Sequence, residues 1–301
     1  MLQRVSQQTK GWLYGIFSQI LWGTGGVTIK FIDAVLPSSL LVGIRHGIGA
    51  LTLGLLILQG KRMVFRNLPI IHLILLGIFA AGLPDLLLVE AVRRAGAIIS
   101  TILARVEIPL GVLFAHLFLK EKVGKEAYFA GIISILGVCL ISYTPEQTIS
   151  LDNQFYIGVL CGLGAAVLWA LSSVYAKYIL NKQTDPLALS FVRLCIGSIF
   201  ALAITLFFIH DPFISLQQLH LIDWILILYL GIFLSGLAYL FFYRSLHLLH
   251  AHVAIILIGL SIIVLLVAGL AIGETMRLLQ WIGVGMIVFS IFLVKKSAPQ
   301  K

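Results

Sequence analysis

The sequence predicts an all-α polytopic membrane protein, with ten transmembrane helices arranged as two inverted five-helix repeats. Three observations carry this. The 301 residues are 60% hydrophobic and 11% charged, with a mean hydropathy of +1.08, whereas soluble domains carry about a quarter charged residues. Too little polar surface remains to cover a soluble globule. Apolar runs such as HLILLGIFAAGLPDLLLVEAV and HVAIILIGLSIIVLLVAGLAIG reach the roughly 20 residues that cross a bilayer. Finally, the second half of the chain repeats the first.

The expected spans are 11–32, 38–58, 68–90, 96–119, 125–143, 155–178, 186–209, 221–244, 250–272 and 278–294. Each run is continuously apolar rather than alternating, which excludes a transmembrane barrel. The first run is too long for a signal-peptide core and ends without a small-residue cleavage pattern, so it counts as a span. The linkers, such as KEKVGKE and NKQTD, are too short to hold a soluble domain, which puts the function inside the membrane. Cys139, Cys161 and Cys195 all lie in apolar segments and read as small packing residues rather than a disulfide set.

Charge sets the expected orientation. With the N-terminus in the cytoplasm, inside segments hold Lys61, Arg62, Arg66, Lys120, Lys122, Lys177 and Lys182 among others. The outer ends hold only Lys30, Arg93, Arg94 and Arg277. This positive-inside bias places both termini in the cytoplasm and accounts for the net charge of +9 without nucleic acid.

The repeat is legible by eye. GWLYGIFSQILWGTGGVTIKFI (11–32) aligns with GVLCGLGAAVLWALSSVYAKYI (158–179), which brings Gly11 onto Gly158, Trp22 onto Trp169 and Lys30 onto Lys177. Arg45 then matches Arg193, GIFAAGL (77–83) matches GIFLSGL (231–237), and Glu121 falls on Glu274. Five helices per copy is an odd number, so the second copy, 155–294, sits upside down relative to the first, 11–143. Inverted repeats with a binding site between them are the architecture of many secondary transporters.

With Trp22–Gly23, Trp169–Ala170, Arg45, Arg193 and Pro109 followed by FLKEKVGKEAYFAGIISILGVCLI, the chain resembles the drug/metabolite transporter superfamily, specifically the EamA-type ten-helix permeases, over about residues 11–294. The resemblance implies export or import of amino acids, other metabolites or drugs, and specifies no substrate. The halves have diverged: Ile263 stands where Pro109 does, and ALSS (170–173) replaces GTGG (23–26).

The sharpest candidate site is RVEIPLG (105–111). Glu107 lies 11 residues inside the fourth span, about 16 Å at the helical rise, where a charge costs about 2.5–3.5 kcal/mol. On a continuous helix Arg105 and Glu107 point about 200° apart and pair poorly. Arg105 is therefore expected to meet Asp85, leaving Glu107 to face the cavity, or the reverse. Pro109 frees the Arg105 carbonyl and bends the helix. The functional reading is a substrate-contacting or proton-carrying kink, and the structural one is a salt bridge with a packing kink. Trp22, Trp169, Tyr239 and Tyr243 are candidate cavity walls, and Ser261 is expected to face the cavity from the other half. Glu90, four residues before Arg94, is a candidate outer gate or an interfacial ion pair. Arg45 and Arg193 read as structural, each binding carbonyls of a neighbouring helix. GxxxG spacings at Gly11/Gly15, Gly43/Gly47 and Gly158/Gly162 allow close helix contacts. His247, His250 and His252 are expected to form a weakly basic loop without an accompanying carboxylate, too sparse for a metal centre.

The sequence thus predicts a secondary transporter of small polar or zwitterionic metabolites such as amino acids, working by alternating access in the cell (inner) membrane. If Glu107 and Arg105 prove sealed against neighbouring helices, the expected site moves to the Trp22/Trp169 region. The expected partners are a small-molecule substrate and the lipid bilayer, with proton coupling left open and either a monomer or a homodimer. No cofactor, metal or nucleic acid is expected, and no Walker lysine supports ATP-driven transport. A membrane-embedded enzyme acting on lipid or peptide is the alternative. It lacks a nucleophile–base or metal constellation.

Overall fold

The computed structural model describes residues 6–30, 36–60, 69–142, 153–211, 214–271 and 277–297. Lys61, Arg62, Arg66, Glu274, the chain termini and the side chain of Lys30 lie outside these. Every regular element among the described residues is helical. Six helical stretches among them are long and apolar enough to cross a membrane, with two shorter apolar helices besides.

In chain order come α1 (Gln7–Lys30) and α2 (Ser38–Leu58), then α3 (Ile70–Gly77), which runs through a first π segment, Ile78–Gly82, into α4 (Leu83–Ala95). Next, α5 (Ala97–Arg105) turns at Val106 into α6 (Glu107–Leu119), followed by α7 (Lys125–Ser142). The sequence then provides α8 (Asn153–Leu180), α9 (Pro186–Phe208) and the short α10 (Ile214–Gln217). Further on, α11 (Leu221–Tyr229) continues through a second π segment, Leu230–Leu237, into α12 (Ala238–Leu248). The chain ends with α13 (Ala251–Ile256), a 3₁₀ turn at Leu257–Gly259, α14 (Leu260–Ala271) and α15 (Leu278–Ser297).

Several expected boundaries move outward, two of them at residues that matter for the site. The third rod continues to Ala95 rather than 90, where Glu90 holds Arg94 at 3.0 Å across one turn. The eighth continues to Leu248 rather than 244, where Lys177 donates to its last carbonyls. The 209–221 linker contains α10, which hydropathy does not signal.

The two π segments coincide with the repeated GIFAAGL and GIFLSGL. In each, a backbone N–H reaches five residues back rather than four: Leu83 to Ile78, and Ala238 to Phe233. A π register strands carbonyls inside an otherwise closed helix. In the first segment Pro84 adds to this, because it has no N–H to offer Ala80.

The halves exchange matching contacts. α1 packs on α12 and α14, while α8 packs on α4, α5 and α6. α2 meets the second π segment, and α9 meets the first. α2 also packs on α9, and α7 on α15. Glycine permits close approach at two of these contacts. A Cβ on Gly77 would collide with Ile196 and crowd the Arg193 carbonyl, while one on Gly231 would collide with Ile48 and crowd the Arg45 carbonyl.

The bend at Val106 is not the work of Pro109 alone. Val106 N–H donates to Leu103, three residues back, and Leu260 N–H reaches Leu257 in the same way, although Ile263 stands where the proline does. In the register that aligns the π segments, Leu103 corresponds to Leu257, and each sits against a glycine of the opposite first helix: Gly162 and Gly15 respectively. Pro109 itself packs against Gly131 of α7.

Candidate functional site

The exposed carbonyls of the first π segment are met by side chains from three different helices. Ser172 of α8 donates to Phe79 at 2.8 Å, Arg193 of α9 donates to Ala80, and His46 of α2 places Nε2 3.2 Å from Ala81. His46 is fully buried, and its Nδ1 lies 3.2 Å from the Ser235 hydroxyl of the second π segment. One imidazole therefore ties the two π segments together. Its Nε2 faces two oxygens, Ala81 carbonyl and Asp85 Oδ2, both acceptors, so that nitrogen carries the proton.

Asp85 does not meet Arg105, as the sequence reading expected. It is 4% exposed and pairs with Arg45 Nη2 and His46 Nε2. Arg105 instead pairs with Glu107 at 3.1 Å. The expectation of a 200° separation assumed a continuous helix, and the turn at Val106 removes it. Glu107 is 6% exposed and closed onto this partner, so neither charge opens onto a cavity by itself. Ser261 does not face open space either: it is buried and donates to Ile258 of the 3₁₀ turn that leads into α14, at 2.8 Å.

In the register of the π segments, Asp85 aligns with Tyr239 and Ala80 with Leu234. Each second-helix arginine meets the residue at that same repeat position, Arg45 on Asp85 and Arg193 on Tyr239, the latter with its guanidinium 3.5 Å above the ring centre. Tyr243 is buried one turn further on, its ring 6.5 Å from that of Tyr239. Trp22 donates to Leu234 at 3.2 Å and packs on Tyr239 and Phe242. Trp169, its repeat partner, has a buried indole N–H that meets no acceptor among the described residues. The carbonyl in the equivalent place, Ala80, is taken by Arg193. The expected structural role of the arginines is thus visible in part, as Arg193 does bind a carbonyl of a neighbouring helix.

Sequence reasoning missed His46, and it also missed a clasp at the face where α1 begins. Glu121, just beyond α6, accepts from the N–H groups of Ala251 at 2.8 Å and His252 at 3.3 Å and from His252 Nδ1 at 2.6 Å. The histidines expected to lack a carboxylate therefore have one. From the other side Lys177 donates to the carbonyls of Leu246, His247 and Leu249. The α12–α13 junction is held by a cation on the carbonyl end of one helix and an anion on the amide end of the next, as helix dipoles favour. Burial alone would raise the Glu121 carboxyl. His250 at 3.7 Å, His252 and the Ala251 N–H outweigh it and hold it below the usual carboxylate range. At the opposite face Glu90 makes the expected pair with Arg94 and a longer one of 3.8 Å with Arg93.

A separate apolar cavity of about 500 Å³ lies between α3, the first π segment, α6 and α8, lined by Leu75, Phe79, Phe118, Ser172, Tyr175 and Tyr178 among others. It shares Ser172 and Phe79 with the polar centre, but its rim side chains Phe118 and Tyr178 are exposed on the outside of the bundle.

The sequence pattern of the EamA-like transporter family matches residues 9–143 and again 156–295. The chain belongs to the EamA-like transporter family. A protein of Archaeoglobus fulgidus named "Uncharacterized transporter" is 25% identical over 295 residues, covering 96% of this chain and 99% of its own. The Escherichia coli K12 "Uncharacterized inner membrane transporter YhbE" is 27% identical over 64% of this chain and 62% of its own, and Bacillus subtilis YvbV, named an uncharacterized transporter, is 29% identical over 62% and 59%. A solved crystal structure superposes with a TM-score of 0.83 over 97% of this chain and 100% of the other, at 16% identity, which extends the likeness to the fold. Family and relatives describe a multi-pass membrane transporter rather than an enzyme.

Proposed function

We propose that this EamA-family protein is a secondary transporter that carries small polar or zwitterionic metabolites, amino acids among them, across the cell (inner) membrane by alternating access. The observation that carries this reading is the polar centre built by His46, Asp85 and the two arginines where both π segments meet. It is assembled from both halves and lies deep within the helices. Ten helices in two inverted five-helix repeats, 11–143 and 155–294, with both termini cytoplasmic, are supported by the reciprocal contacts of α1 with α12 and of α8 with α4. They are supported equally by the matched π segments and by the positive-inside bias.

On this reading the substrate lies between the halves, near Trp22, Trp169, Tyr239 and Tyr243. Parting the contacts of α2 and α9 with the opposite π segments would admit it. The Glu121–Lys177 clasp then closes the cytoplasmic face, and the Arg105–Glu107 pair at the α5–α6 bend becomes a candidate coupling element rather than an anchor. Glu90 and its arginines rim the outer face, and Ser261 serves packing. Uptake and counterflow of radiolabelled amino acids and nucleosides in proteoliposomes test the function: saturable movement of an amino acid supports it, and movement of none in either orientation defeats it. Reporter fusions at the two termini and within 143–152 test the orientation, since equal accessibility of all three would overturn it.

A further inference from the structure

The polar centre holds more positive than negative charge. Asp85 is its carboxylate and is engaged by Arg45 and His46. Arg193 is 1% exposed and forms no ion pair of its own among the described residues; Asp85 acts on it only from beyond ion-pair distance, while closed onto Arg45 and His46. Its Nη2 has Ala80 and it interacts with Tyr239, yet among the described residues Nε and Nη1 meet no acceptor at hydrogen-bond geometry. Trp169 Nε1 is likewise buried and meets no acceptor among the described residues. It stands one turn from Ser172, which donates to Phe79, the residue before Ala80, and its repeat partner Trp22 donates to Leu234, the residue that matches Ala80 in the second π segment. Buried cations are ordinarily paired, and buried donors ordinarily find acceptors. Ionisable residues inside a membrane mark substrate and ion pathways. Burying a net positive charge beside stranded N–H donors is what a receptor for an anion requires, and a structural arginine does not.

We infer that Arg193, assisted by the indole N–H of Trp169, is the anchor for a carboxylate on the transported molecule. This rests on the transporter reading and narrows it: the required group is a free carboxylate, an ammonium is not required, and neutral amides and nucleosides are not substrates. Arginine suits the task because its planar donors match a carboxylate and its charge is permanent. In the closed arrangement the guanidinium is sealed, so the acid reaches it only when α9 parts from the first π segment. Tyr239 and Tyr243 then form the adjoining wall. The equivalent centre around Arg45 cannot serve, because Asp85 already occupies the place of the ligand.

The test uses the purified full-length protein with matched ligands: L-amino acids, their N-acetyl derivatives and their carboxamides. Thermal stability and tryptophan fluorescence report binding, and proteoliposome counterflow reports movement. Acids and N-acetyl acids are expected to stabilise the wild type and carboxamides not to. Arg193→Gln should weaken acid binding roughly tenfold to a hundredfold, the loss of one or more charge-assisted bonds, and Arg193→Lys should retain part of it. Tyr239→Asp supplies an internal carboxylate and should abolish acid binding in a folded protein, which guards against misfolding of the glutamine variant. The inference is overturned if carboxamides bind as well as acids, if acids stabilise Arg193→Gln as much as wild type, or if no acid in the panel binds. Counterflow of neutral or cationic compounds that is indifferent to Arg193 would sink the anchor and leave the transporter standing. Arg193-dependent binding of acids without movement would do the reverse.

Discussion

Arg45 and Arg193 stand at the same place in the two halves and have opposite circumstances. Arg45 meets an aspartate, Asp85, and its charge is cancelled inside the first half. Arg193 meets a tyrosine at the matching position, Tyr239, whose ring attracts a cation but does not neutralise it. The tryptophans follow suit. Trp22 closes onto the Leu234 carbonyl, while the Ala80 carbonyl that would satisfy Trp169 has gone to Arg193. A repeat therefore determines where a buried arginine stands, and a single partner residue determines whether it is a strut or a receptor.

The comparison is broken most forcefully at Asp85. Asp85→Asn leaves Arg45 unpaired in the interior and should cost about 3–5 kcal/mol, as for other buried pairs that lose one partner. A large drop in the melting temperature of the detergent-solubilised protein would show it. A drop as large in Arg193→Gln would erase the difference between the two centres. Next, Tyr239→Asp gives the second half the pair that the first already has. Stability should hold or rise while acid binding disappears, as scored by thermal shift with and without ligand. A variant that still binds acids would show that Arg193 is not the anchor.

A smaller effect bears on how the halves are held together at the face where α1 begins. Glu121→Gln should remove about 1–2 kcal/mol from the clasp, the scale of a charged helix cap. Because the Glu121 carboxyl is held below its ordinary value of 4.5, its stabilisation is present above that pH and is lost as pH falls beneath it. Wild type and variant should therefore differ in melting temperature at pH 7 and converge in acid. A difference that persists at low pH would remove the carboxylate from the explanation. The smallest contrast is the most specific to the asymmetry: Trp22→Phe gives up a hydrogen bond worth about 0.5–1.5 kcal/mol, whereas Trp169→Phe has none to lose. Equal losses would show that Trp169 is satisfied after all.

Much of this was legible in the chain. The register of GIFAAGL on GIFLSGL already places Asp85 opposite Tyr239 and Ala80 opposite Leu234, and both arginines are visible. Reading charges by helical wheel failed at Arg105 and Glu107, because a wheel presumes an unbroken helix and the chain turns at Val106, whose N–H pairs three residues back with Leu103. Hydropathy passed over His46 as one polar residue in an apolar run, although it proves to join both π segments. The histidines of HLLHAHV stand alone in the local sequence, since their carboxylate, Glu121, lies more than a hundred residues earlier in the chain.

By itself the sequence determined the membrane class, the helical segments and the repeat, because apolar length and periodicity are local properties that each segment expresses without its neighbours. Only the tertiary structure decided which charges cancel. Inside a bundle an ion's partner is set by which helices touch, and α2 against α4 and α9 against the first π segment are contacts made across long stretches of chain. The low dielectric there turns that adjacency into the difference between a neutral pair and a cation left waiting for an anion.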